Sequence, residues 1–159
     1  MSVLNPGGAF LKAQFGFKVT KATGVVINGE DPLFTIAGGK VLVTGILGFV
    51  TVVIGSTVSN LKLVFDPTAT GADFDLCTAT AITSDAVEQQ YTIAGTVESV
   101  GALLVAGAVG QCNPFFTDPL SLTPGQIHQN LSADPVGGEI TWNLWYLPLD
   151  DGASVSAAA

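Results

Sequence analysis

The sequence predicts an all-β protein, a single-domain β-sandwich with a jelly-roll-like arrangement and an extended N-terminal arm. Three observations carry this. Short runs of β-branched and aromatic residues recur between Gly, Pro, Asn and Asp clusters. No window of twelve or more residues has the 3.6-residue apolar period of an amphipathic helix. The length, 159 residues, fits one domain, and no internal repeat or second composition appears. The expected divisions are an arm over 1–14, the sandwich over 15–149 and a flexible tail over 150–159.

Residues 1–14 carry Asn5-Pro6-Gly7-Gly8 and no period. Phe15, Phe17 and Val19 alternate with Gly16, Lys18 and Thr20 as a first strand. Val25-Val26-Ile27 runs into Asn28-Gly29, a hairpin signature. Leu33 to Ile36 is followed by Gly38-Gly39, and Val41 to Ile54 is apolar on both faces, which predicts a central or interface strand. Gly45, Gly48 and Gly55 suggest bulges or a break there. The uncharged stretch from Val41 ends its apolar part at Gly55. Those 15 residues would make a helix of about 22 Å, too short for roughly 30 Å of hydrocarbon.

Leu61, Leu63 and Phe65 face one way from a half-buried strand ending at Asp66-Pro67. Phe74, Leu76, Thr78, Thr80 and Ile82 predict another, with Asp73, Asp75 and Cys77 on its second face. Ser84 to Gln90 is a turn, Tyr91 to Ile93 a short strand, and Gly101 to Val109 a small-residue apolar run. Asn113 to Pro124 has three prolines and reads as a connection, with Phe115 and Phe116 plugging the core edge. Ile127, Gln129 and Leu131 share a face of the next strand, and Asp134 to Gly138 is a turn. In Glu139 to Leu149, Ile140, Trp142, Leu144 and Tyr146 line one face, and Trp145, Leu147 and Leu149 the other. Pro148 donates no ladder bond, which predicts a sheet edge at that end.

Charge separates the function classes. Charged residues are 11% of the chain, where about 25% is typical, and mean hydropathy is +0.53. So few ionised groups predict a surface that is partly covered in the working state, as in an assembly subunit. There is no arginine, which excludes a phosphate-tracking nucleic-acid surface. All five lysines fall in the first 62 residues, opposed there by Glu30 and Asp31 alone. The remaining residues hold eleven acids and no base. This asymmetry nominates Lys12, Lys18 and Lys21 as contacts to an acidic partner surface. No membrane partner and no secretory leader are read from the sequence.

The search for chemistry returns little. There is no Gly-x-Ser-x-Gly elbow, and Gly38-Gly39-Lys40 lacks the following Ser or Thr of a phosphate loop. His128 is the single histidine and reads as a solvated or hydrogen-bonded surface residue. Cys77 and Cys112 read as small buried hydrophobes, a disulfide being the alternative. Asp73 and Asp75, with Asp66 across the turn, read as a solvated acidic face, calcium being the alternative. Asn130-Leu131-Ser132 is a glycosylation triplet, which matters only in a secreted chain. No catalytic residue, metal or cofactor is expected.

Three segments, LFTIAGGKVLVTGILG, DPTATGADFDLC and ITWNLWYLPLDDGASVSA, resemble in order and spacing small structural proteins of tailed bacteriophages, of the capsid decoration or cement type. The family pattern has an acidic residue after the glycine of GILG, where this chain has Phe49. The resemblance implies a β-rich virion protein, made in the host cytoplasm and placed on the capsid surface. Its partners would be the major capsid protein and other copies of itself, as a homotrimer. Phe49, Trp145, Leu147 and Leu149 are then the expected subunit interface, and Lys12, Lys18 and Lys21 the shell contact. The other readings are a phage tail, baseplate or head-fibre part, and a carbohydrate-binding sandwich with Trp142 or Trp145 as the stacking platform.

Overall fold

Alternating apolar residues bury one face of a strand, and two such strands layers cover each other. A computed structural model describes residues 15–93, 103–106 and 112–159; the expected arm, 1–14, lies outside them. The strands are β1 (Phe17–Val25), β2 (Gly29–Ala37), β3 (Val41–Val52), β4 (Asn60–Pro67), β5 (Phe74–Asp75) and β6 (Thr80–Ala81). They continue with β7 (Gln90–Ile93), β8 (Leu103–Ala106), β9 (Phe115–Leu122), β10 (Gly125–Leu131), β11 (Glu139–Pro148) and β12 (Ser154–Ala157).

Two antiparallel sheets form a β-sandwich. Sheet I runs β1-β11-β3-β7-β8, with β9 also on β3, and sheet II runs β12-β2-β10-β4-β5, with β6 also on β4. From β1 to β4, and again from β9 to β12, every connection crosses between the sheets. Sheet neighbours are therefore remote in sequence, as with β1 on β11 and β2 on β10. The Asn28-Gly29 signature consequently closes no hairpin: β1 and β2 lie in opposite sheets.

The inward faces follow the period of two. Leu61, Leu63 and Phe65 of β4, Ile127, Gln129 and Leu131 of β10, and Ile140, Trp142 and Leu144 of β11 are all buried. Strand β3 is central, bonded to β11 on one side and to β7 and β9 on the other. Gly48 faces inward under the Trp142 ring, where a Cβ would stand 2.7 Å from ring carbons. Between the sheets, Trp142 Nε1–H donates to Gln129 Oε1 at 3.0 Å, and Gln129 Nε2–H donates to Asp31 Oδ2 at 3.1 Å. This relay satisfies the buried Gln129 amide and Trp142 indole.

Four expectations are corrected. Residues 154–157 are strand β12, paired with β2 from Ser154↔Ala37 to Ala157↔Phe34, so the C-terminal end is not a flexible tail. Its entry is fixed by Asp150, whose Oδ2 accepts the Lys40 N–H at 2.7 Å. Residues 115–122 are strand β9 rather than a connection, since pairing with β3 outweighs Pro119. Strand β11 is interior, and Pro148 lies beyond the end of β1, whose register starts at Phe17↔Tyr146. The strand expected from Phe74 to Ile82 is interrupted after Asp75, which turns Cys77 into the core.

Candidate functional site: the outer face of sheet I

Cross-strand partners share a face, so the register gives the outer surface of sheet I row by row. One row is Lys18, Trp145, Gly45 and Phe115; the next is Thr20, Asn143 and Leu47; a third is Ala22, Thr141, Phe49 and Gln90. Beyond Trp145 comes Leu147, Leu42 and Ser121. At Gly45 a Cβ would lie 2.5 Å from the Pro114 carbonyl oxygen and 2.9 Å from the Phe115 ring. Glycine there lets Phe115 reach Trp145, the ring centroids standing 5.3 Å apart edge to face. Phe15 stacks on Phe115 at 4.0 Å and 17°, and its carbonyl accepts the Thr44 hydroxyl.

Trp145, Leu147 and Phe49 are each half-buried on this face, and Leu149 is exposed past the end of β11. The structure thus brings Phe49, Trp145 and Leu147 onto one surface, with Leu149 at its margin. Phe15, Phe115, Leu42 and Leu47 belong to the same surface. Of the two rings expected to plug the core edge, Phe116 packs against the core, but the β9 register puts Phe115 on this outer face. Leu42 and Leu47 are not singled out by the sequence because β3 reads as apolar on both faces.

The lysines do not form one free basic patch. Lys18 Nζ stands 5.6 Å from the Trp145 ring centroid, a cation–π contact. Lys21 Nζ donates to the Ala158 carbonyl at 2.7 Å, joining the edge of β1 to the end of the chain beyond β12. Lys12 lies outside the described residues. Trp142 is fully buried and offers no ring for a sugar, whereas Trp145 is half-buried between Phe115 and Lys18.

The outer face of sheet II is polar in two of its three rows. Its rows are Lys62, Asn130 and Glu30, then Val64, His128 and Pro32, then Asp66, Gln126, Thr35 and Ser156. Asn130 Nδ2–H donates to Glu30, and Gln126 Nε2–H to Thr35. Lys62 pairs with Asp75 at 2.7 Å. His128 is half-buried, and both ring nitrogens are covered without a hydrogen-bond partner. This corrects the expectation of a solvated or hydrogen-bonded imidazole.

Both cysteines are free. Burial pushes the Cys77 thiol up to about 11, with the Leu63 N–H opposing, and burial also raises Cys112, which donates to Gln90 Oε1. Neither has the lowered pKa of a reactive nucleophile. Tyr91 donates to Asp85 Oδ2 at 2.7 Å. Burial lifts the Asp85 carboxyl above its ordinary value against that bond, and burial together with Asp85 lifts the Tyr91 phenol. Among the described residues no three His, Cys, Asp or Glu side chains gather as a metal site, and no helix is long and apolar enough to cross a membrane. Comparison with family models, curated proteins and solved structures finds no match to this chain.

Proposed function

We propose that the protein is a non-enzymatic structural component of a virion, a capsid decoration protein that binds the outside of a phage head and bridges capsid subunits as a homotrimer. The observation that carries this is the contrast between the sandwich's two outer faces. Two of the three sheet II rows are polar and hydrogen-bonded, around a middle row of Val64, His128 and Pro32, whereas sheet I turns out Phe15, Phe115, Trp145, Phe49, Leu47 and Leu147. An apolar face with a polar margin is the composition of a protein interface. The low charge of the whole chain and the resemblance of its three segments to phage structural proteins support the same reading.

The occupant of the sheet I face is a second copy, and a stable contact there buries more than about 1,000 Å². Trp145→Ser removes the anchor and should convert the trimer to monomer or aggregate, read by light scattering. The near-ultraviolet signal of buried Trp142 checks that the sandwich survives. An unaltered trimer sinks the assignment of this face. Location is tested by imaging the particle: hundreds of copies on the shell fit a decoration protein, and a few at the tail would move the protein there.

A further inference from the structure

The ten large apolar side chains left exposed among the described residues are unevenly placed. Val25, Ile27, Val52, Val53, Val58 and Val136 gather at the end of the sandwich where β1 and β3 finish and β11 begins. Val25 and Val52 flank Glu139 in register. The Val26 and Gly55 N–H groups donate to the Gly138 and Gly137 carbonyls, and the Ser59 hydroxyl donates to Ala133. The strand ends and loops that carry the six side chains are therefore tied into one surface at this end of the sandwich.

Backbone strain marks the same end. Val136 has φ +60°, and the residue is 78% exposed. For a β-branched residue this left-handed conformation is costly, and an exposed side chain returns no packing to the fold. Asp134 Oδ1 accepts the Val136 N–H at 2.8 Å and holds it there. Among the described residues, the other non-glycine residues with positive φ, Ser84 and Glu88, lie in the β6–β7 loop. That loop is bonded to this end through Gly55 and Val50. Strain concentrated at one place is characteristic of a working surface.

Charge selects the occupant. Glu88 and Asp134 are exposed beside the valines, and Glu139 is half-buried. The nearest lysines along the chain, Lys21 and Lys62, are engaged by the Ala158 carbonyl and Asp75. Two copies meeting end to end would set acid against acid, and an anionic lipid surface would be repelled as well. The geometry points to this end as the attachment surface, which docks into an apolar depression rimmed by Lys or Arg on the major capsid protein. This rests on the virion reading above, and it moves attachment from Lys12, Lys18 and Lys21 to the valine end.

The test is co-sedimentation of the full-length protein with phage heads stripped of it. Val136→Asn puts a polar residue that tolerates left-handed φ at the tip, so its thermal midpoint should equal or exceed that of the native chain. Its attachment should nonetheless weaken at least about tenfold, and that of Val58→Asp likewise. The mass of both variants in solution should be unchanged. Native-strength attachment by both variants overturns the assignment of this end while leaving the virion reading intact. Failure of the native chain to bind stripped heads overturns both.

Discussion

Replacing Gln129 by Glu should destabilise the protein by about 3–5 kcal/mol at pH 7, the range for an uncompensated buried charge. Gln129 has no exposed surface, accepts from the Trp142 indole and donates to Asp31. Glutamate keeps the first bond but turns the second into two carboxylates facing each other across the same 3.1 Å. Burial and the like charge raise the folded pKa of the pair above the unfolded values of about 4. The native state then binds more protons than the unfolded state, so stability falls as pH rises through that interval and returns as pH drops below it. Urea unfolding between pH 4 and pH 8 (on the order of a few points) reads this directly. Gln129→Leu is the control: it strands the indole N–H, and its loss of about 2 kcal/mol should persist through the same range. A Glu variant as stable as the native chain at pH 7, or equally weakened at every pH, would show that the relay does not hold the sheets together.

Gly48→Ala should cost about 3 kcal/mol, the upper end of the usual range for overpacking. The new methyl meets three Trp142 ring carbons at 2.7–2.9 Å. The ring is fully buried, stands 6.2 Å from the Tyr91 ring and is bonded through its nitrogen to Gln129, so it has no direction in which to retreat. Trp142→Phe alone should also destabilise, by opening a cavity. In the Gly48→Ala background that second change should cost less, because the smaller ring accommodates the methyl. Strictly additive losses in denaturant unfolding would contradict the contact.

Most strands were legible because a half-buried strand repeats every two residues. Ile127, Gln129 and Leu131 declare their shared face in the sequence, as do Ile140, Trp142, Leu144 and Tyr146. Where pairing decides, local signals misled. Asn28-Gly29 has hairpin chemistry, yet the chain crosses to the other sheet there. Ser154–Ala157 is made of small residues that gain strand structure only by lying against β2. Pro119 argued for a loop, but β9 pairs with β3 around it.

The outer face of sheet I was half-legible for the same reason. The two-sided apolarity of β3 and β11 singled out Phe49, Trp145 and Leu147, whereas Phe15 and Phe115 join them only once the register is known. The valine end left no trace in the sequence, since its residues come from separate turns. The lysines were misleading in another way. Their clustering in sequence suggested one basic surface, but Lys18 and Lys21 point to opposite faces of β1 and already have partners.

The central claim is that the apolar face of sheet I is covered by other copies of the same chain. Its most direct test is the mass of the native full-length protein in solution, measured by sedimentation over a range of concentrations. The account predicts a concentration-stable species at three times 16.2 kDa. A single species of 16.2 kDa at every concentration would contradict it.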